Sequence, residues 1–179
     1  AVVGENGAGK TTLMNMAFGL YKPTRGEVLA NGVRLPPSSP RRAIAAGIGM
    51  VHQHFMLVPT LTVAENVVLG AEPRRAGLLD RAAAEREVLA LSQRLGFAVD
   101  PFALISRCSV AEQQRVEILK ALYRGAQVLI LDEPTAALAP QESLQLLETG
   151  RALAREGKSV VLISHKLGEV LAGANRIAV

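Results

Sequence analysis

Tryptophan is absent from this 179-residue chain, aromatic residues make up only 3%, and there is a single cysteine. One cysteine excludes an internal disulfide framework and fits a reducing compartment, the cytosol. With so few aromatics the core has to be assembled from Val, Leu, Ile and Ala, which favours a parallel α/β sheet whose strands read as short β-branched runs. Also missing is any apolar run near the roughly 18 residues that a membrane-spanning helix needs, and any basic-then-apolar leader at the N-terminus. Lys and Arg total 20 against 16 Asp and Glu, a formal net charge of +4. No block of like charges occurs, so a basic arm for nucleic acid is not expected. What is present is an ordinary globular composition, 49% apolar and 20% charged, which excludes a disordered or collagen-like chain. The length suits one domain with room for an inserted subdomain. The chain opens on Ala1-Val2-Val3-Gly4 and closes on Arg176-Ile177-Ala178-Val179. Both ends look like strands cut in mid-course, and the expectation is a piece of a longer protein.

Along the chain, a short apolar strand end at 1–3 leads into a Gly-rich loop at 4–12. This opens a helix whose Leu13, Met16, Ala17 and Leu20 have the spacing of one buried face. Asn31-Gly32, flanked by strand-like runs, predicts a type I′ hairpin. Ser39 followed by Pro40 reads as a helix start and Gly47 as its stop. Ile48 to Val51 is a strand that delivers His52-Gln53-His54 into a loop. From about Pro59 to Gly125 strand-like runs give way to helical periodicity. Asp80 caps a helix with Ala84, Val88, Leu91 and Leu95 on one face, and Ser109 with Glu112 has capping-box spacing ahead of Val116, Leu119 and Leu122. Strand and helix then alternate: Val128–Leu131, a helix from Pro140 through Leu144, Leu147, Arg151 and Ala154, Ser159–Ile163, a short helix from Lys166, and a last strand from Arg176. That alternation means a parallel sheet with crossover helices. Three segments follow: an α/β part at 1–58, an all-helical insertion at 59–125, and the α/β part continued at 126–179.

Gly4-Glu5-Asn6-Gly7-Ala8-Gly9-Lys10-Thr11 fits G-x-x-x-x-G-K-[ST] in full, between a strand and a helix as that motif requires. Its glycines let backbone N–H groups turn inward around phosphates, and the helix N-terminus adds positive potential. Lys10 would reach the β- and γ-phosphates, the Thr11 hydroxyl would bind Mg²⁺, and Asn6, Thr12 and the glycines complete the cradle. Val128-Leu129-Ile130-Leu131-Asp132-Glu133 is an apolar strand ending in two acids. Asp132 falls at its carboxyl end, where open α/β sheets bind ligands, and can hold the Mg²⁺ shell. Glu133 can accept a proton from an attacking water.

Five motifs in order carry a resemblance: the loop at Gly4, Gln53, Ser109-Val110-Ala111-Glu112-Gln113-Gln114-Arg115, Asp132-Glu133, and Ile163-Ser164-His165. Their order and spacing, over essentially the whole chain, resemble the ATPases of ATP-binding cassette (ABC) transporters. The resemblance implies a P-loop NTPase parallel-sheet core with an inserted helical signature subdomain, the upstream strands and the adenine-stacking aromatic lying outside this sequence. It implies binding and hydrolysis of ATP with Mg²⁺, and that this piece alone binds ATP weakly and hydrolyses it poorly. Gln53 would contact Mg²⁺ and the attacking water; Ser109, Ala111 and Glu112 would lie in the segment that caps the γ-phosphate of an ATP held on an opposing domain; His165 would contact the γ-phosphate and orient Glu133.

Finer stretches, Met50 to Val58, Thr62 to Asn66, Gly70 to Pro73 and Glu112 to Tyr123, are similar to the ATPases of nucleoside and simple-sugar importers, with the nucleoside side closer. That branch implies transmembrane permease subunits as partners, a second ATPase domain, a substrate-binding protein acting indirectly, no nucleic acid, and a peripheral location on the cytoplasmic face of the membrane. Two departures stand out. The signature begins Cys108-Ser109-Val110-Ala111 where the family has Leu-Ser-Gly-Gly or Leu-Ser-Val-Gly, and Ala139 replaces an Asp common after the acidic strand end. The extra methyl of Ala111 is expected to slow the site that Ser109 completes, because Gly serves where backbone must approach phosphate closely. Cys108 reads as an inert, buried replacement for Leu, and Met14, Met16, Met50 and Met56 as fillers of core gaps. His52 and His54 read as packing or solvated residues, since two ligands without a third make a poor metal site. Two other classes remain open: a soluble ABC ATPase of translation or DNA repair, and a regulatory ATP-binding module of low turnover.

Overall fold

The computed structural model describes all 179 residues, which fall into two units: residues 1–53 together with 126–179, and residues 54–125. The first unit begins with α1 (Lys10–Ala17), the strands β1 (Val28–Ala30) and β2 (Val33–Leu35), α2 (Pro40–Ala45) and β3 (Ile48–Val51). The second holds α3 (Val63–Val68), β4 (Arg74–Arg75), β5 (Leu78–Leu79), α4 (Arg81–Arg94), a 3-10 turn at Ile105–Arg107 and α5 (Val110–Tyr123). The chain then returns to the first unit as β6 (Val128–Asp132), α6 (Pro140–Arg155), β7 (Ser159–Ile163) and α7 (Leu167–Gly173). None of these helices is long and apolar enough to cross a membrane.

In the first unit β3, β6 and β7 form a parallel sheet in that order, with Met50 opposite Ile130 and Ile130 opposite Val161. All four residues of β3 and the last four of β6 are buried, which is why these strands read as continuous apolar runs rather than as alternating ones. The expected end strands shrink to single bridges: Val2 pairs in parallel with both Ile163 and Ala178. Ala43, Ile48, Met50, Ile130 and Ile163 form the buried core here, with Met14, Ala17 and Phe18 packed on it. That contact set corrects the predicted face of α1. Leu13 is 55% exposed and Leu20 lies beyond the helix end, so the inward stripe runs 14, 17, 18 instead. On α6 the predicted face is shifted similarly: Ser143, Leu146, Leu147 and Leu153 are buried, whereas Leu144 is 58% exposed. β1 and β2 pair antiparallel across Asn31-Gly32, as the dipeptide predicts.

The second unit packs Val63, Val67, Ala84, Val88, Ile105, Val116 and Leu119 into its own core, with Cys108 partly buried against it. α3 and α5 both begin with full capping boxes, Thr62 with Glu65 and Ser109 with Glu112. α4 begins at Asp80, whose carboxylate accepts from the Ala83 N–H at 2.9 Å. The expected all-helical insertion is corrected at one place, where β4 and β5 make a short antiparallel pair around Ala76-Gly77. Two-residue strands carry no period that a sequence pattern can register. The unit begins at His54 rather than at 59. Met56, expected as a core filler, is 65% exposed. Its backbone is nonetheless held, with the Met56 N–H donating to Glu117 at 2.6 Å and Lys120 Nζ donating to the Met56 carbonyl at 2.8 Å.

Candidate functional site

Chain topology brings four loops of the first unit to one end of the parallel sheet: the Gly-rich loop before α1 and the turns after β3, β6 and β7. Gly7 and Gly9 sit at φ 86° and 93°, a backbone region that L-residues other than Gly rarely adopt. This conformation folds the loop back so that α1 starts at Lys10. The N-cap, Gly9, offers no side chain, and no acid stands in the first turn. The first-turn amides of α1 therefore face outward without a side-chain acceptor, the arrangement that favours an anion. Lys10 is 8% exposed, and its Nζ donates to the carbonyls of Gly4 at 2.8 Å and Glu5 at 2.9 Å, fixing the ammonium across the loop.

One residue further along α1, Thr11 Oγ1 donates to Asp132 Oδ1 at 3.0 Å. Two hard oxygens thus meet at the mouth of the loop from positions 121 residues apart in sequence. Asp132 is 1% exposed, and burial pushes its carboxyl above the usual carboxylate range; the Thr11 hydrogen bond and the nearby His52 and Lys10 act in the opposite direction. A buried carboxylate beside a hydroxyl is a donor set that fits a small hard cation such as Mg²⁺. His52 itself packs its ring edge-on against Phe18, with centroids 5.9 Å apart, in line with the packing role expected of it.

Glu133 follows directly. Its N–H donates to the Ile163 carbonyl at 3.0 Å, the last bond between the β6 and β7 chains, and its φ is 45°. A non-Gly residue in the left-handed region costs about 1 kcal/mol or more and persists where its surroundings fix it. The side chain thereby points to His165, whose Nδ1 lies 3.2 Å from Glu133 Oε1. An open cleft of about 330 Å³ is lined by Asn6, Gly7, Gly9, Lys10, Thr11 and Thr12 from the loop together with Gln53 and Glu133. Gly4 stands at the loop's entrance, where its carbonyl takes the Lys10 bond. Of the residues expected from sequence, those of the first unit therefore gather at one site: the loop, Gln53, Asp132, Glu133 and His165.

Ser109, Ala111 and Glu112 belong to the second unit. Glu112 Oε2 accepts from the Ser109 N–H at 2.7 Å and from Ser109 Oγ at 2.8 Å, which holds the Glu112 carboxyl below its ordinary range. An ionised carboxylate only accepts, and this one is turned onto its own helix start. Ala111 is 7% exposed, so its methyl is packed. Cys108 is kept thiol-like by burial, with the acids Glu112 and Asp100 adding to the effect, in agreement with an inert role. Sequence reasoning missed Glu169, which bonds side chains of both turns flanking the Glu133–His165 pair.

The family described as ABC transporter matches residues 1–136. The chain is 54% identical over its full length to the nucleoside import ATP-binding protein NupA of Lactococcus lactis subsp. cremoris (strain MG1363), of which it covers 35%. It is 54% identical over 161 residues to the guanosine import ATP-binding protein NupO of Bacillus subtilis (strain 168), covering 90% of this chain and 32% of that protein. A ribose import ATP-binding protein, RbsA 3 of Rubrobacter xylanophilus, is 48% identical over 99% of this chain and 36% of its own. The chain thus spans about a third of the length of the curated relatives it matches. Among solved structures, a nucleotide-free ATP-binding cassette from an ABC transporter superposes with a TM-score of 0.83 over 98% of this chain and 74% of that one, at 22% identity. Fold and sequence agree, and this chain belongs to the ABC transporter family.

Proposed function

We propose that this chain is the ATP-binding and ATP-hydrolysing part of an importer that takes up nucleosides, or simple sugars, through partner permeases. The observation that carries the reading is the meeting of Lys10, Thr11, Asp132, Glu133 and His165 around one cleft. The first-turn amides of α1 and the Lys10 ammonium suit the phosphate chain of ATP. Thr11, Asp132 and Gln53 are the residues that would hold Mg²⁺, which when bound neutralises charge on the transferred phosphoryl group. Glu133 takes the proton of the attacking water, and His165, at hydrogen-bond distance, holds its carboxylate in position. Rate enhancement in such a site comes mainly from positioning and charge stabilisation. Ser109 and the start of α5 serve the ATP bound on a second ATPase domain.

Names of the relatives support import as the process, and the higher identity to the two nucleoside proteins favours nucleosides over sugars. The location that follows is peripheral, on the cytoplasmic face of the membrane against the permease, with a substrate-binding protein delivering the solute from the other side. In the intact protein, Glu133→Gln is expected to keep ATP binding and to lose hydrolysis by about 100-fold or more. Equal turnover in variant and parent would contradict the assignment. Stimulation of turnover by a nucleoside with its binding protein, in vesicles carrying the permease, tests the transport arm.

A further inference from the structure

Beyond the ends of β6 and β7 no ladder hydrogen bond relates the two turns that carry the reacting pair. The last is that from the Glu133 N–H to the Ile163 carbonyl. Further out the turns are joined by side chains, and a carboxylate in the first turn of α7 bonds hydroxyls of both. Glu169 Oε2 accepts from Thr135 Oγ1 at 2.6 Å and from Ser164 Oγ at 3.3 Å. Its Oε1 pairs with Lys166 Nζ at 3.1 Å, and that ammonium also donates to the Thr135 carbonyl at 3.1 Å. Ser164 Oγ in turn accepts the Lys166 N–H at 3.0 Å. Thr135 and Ser164 are each 2% exposed, so the hydroxyls that Glu169 satisfies would otherwise be buried near a missing acceptor.

Placement along the chain gives this circuit its meaning. Thr135 lies two residues after Glu133, and Ser164 and Lys166 are the immediate neighbours of His165. The Glu133–His165 contact cannot hold itself: the His165 side chain is 43% exposed, and such pairs contribute little on their own. Glu133 is moreover in a strained backbone conformation, at φ 45°, that needs fixing from outside. We propose that Glu169 is a positioning residue for hydrolysis: through Thr135, Ser164 and Lys166 it clamps the Glu133 turn to the His165 turn and so sets the distance between the two side chains. This rests on the hydrolytic role proposed for that pair.

Steady-state ATP hydrolysis by the intact protein tests it. Glu169→Ala is expected to lower kcat by about 10- to 100-fold, since a misplacement near 1 Å can cost that much, while the phosphate loop keeps KM for ATP within about two-fold. Glu169→Gln, whose carbonyl still accepts from Thr135 and Ser164 but whose amide cannot accept from the Lys166 ammonium, should fall between Glu169→Ala and the parent. Thr135→Val removes the 2.6 Å bond alone and should lower kcat several-fold, which keeps the test open if Glu169→Ala folds poorly. In a His165→Ala background Glu169→Ala should cost less than about two-fold more, because a residue acting through the pair has little left to act on. Unchanged kcat in Glu169→Ala, a loss that appears equally in KM, or full loss again in the His165→Ala background overturns the proposal alone. No hydrolysis by the parent protein overturns the reading on which it stands as well.

Discussion

The helix start at Lys10 and the helix start at Val110 face the same problem, four backbone amides without helical partners, and meet it in opposite ways. At α5 the Ser109 hydroxyl accepts the Glu112 N–H at 3.3 Å while the Glu112 carboxylate accepts the Ser109 N–H, and α3 repeats the device with Thr62 and Glu65. At α1 the N-cap is Gly9, with no side-chain acceptor and no acid in the first turn. Carboxylates divide along the same line. Glu112 is held below its ordinary range by hydrogen bonds from Ser109, whereas burial raises Asp132 above its own. The second unit closes its helix starts locally, with the capping boxes of α3 and α5, and is stabilised by doing so. The first leaves an open helix end, a buried acid and a strained Glu133 at one point, and that point is where the phosphate chemistry is proposed.

Substitutions in the two units separate local stabilisation from chemistry. The largest expected effect is in the second unit's core, where Leu119→Ala, at a fully buried position, should cost about 2–5 kcal/mol in chemical denaturation. Next is the cap: Ser109→Ala removes the hydroxyl that bonds Glu112 and should cost about 1 kcal/mol by the same measurement. Ala111→Gly should cost about 1 kcal/mol or somewhat less through helix propensity, and the packed methyl leaves little reason for a large gain in ATPase rate. Hydrolysis rates of the two proteins check that second part, and a several-fold rise would restore the methyl as an obstacle. Smallest is Glu112→Gln, whose loss of charge at a partly exposed helix start should cost only about a few tenths of a kcal/mol. A depressed folded pKa means that this contribution is present at neutral pH and is lost as pH falls through the folded value.

Local signals were readable in the sequence where one short segment determines the outcome. The phosphate loop, the Asn31-Gly32 turn and the Ser109–Glu112 box each depend on residues within a few positions, and each is in the structure as spaced. Helix faces were less legible. α1 is only eight residues long, so the stripes 13, 16, 17, 20 and 14, 17, 18 are both compatible with two turns, and contact with the sheet decides between them. Which way the Glu112 carboxylate turns is decided by capping geometry and not by residue type. Glu169 was invisible for a different reason: its strongest partner, Thr135, is 34 residues away, joined to it only because β6 and β7 are neighbours.

A buried Asp132 held above its usual range costs the first unit stability, and thermal unfolding of the intact protein and its Asp132→Asn variant across pH measures that cost. An acid whose folded pKa is raised destabilises the fold once ionised, so the penalty is absent below the unfolded pKa and complete above the folded one. Asn can still accept from Thr11 Oγ1. Asp132→Asn is expected to melt higher than the parent at pH 7, with the difference closing as pH falls through the carboxylate range and Mg²⁺-dependent hydrolysis lost in the same variant. A variant that melts lower than the parent at pH 7, or a difference that does not change with pH, would contradict it.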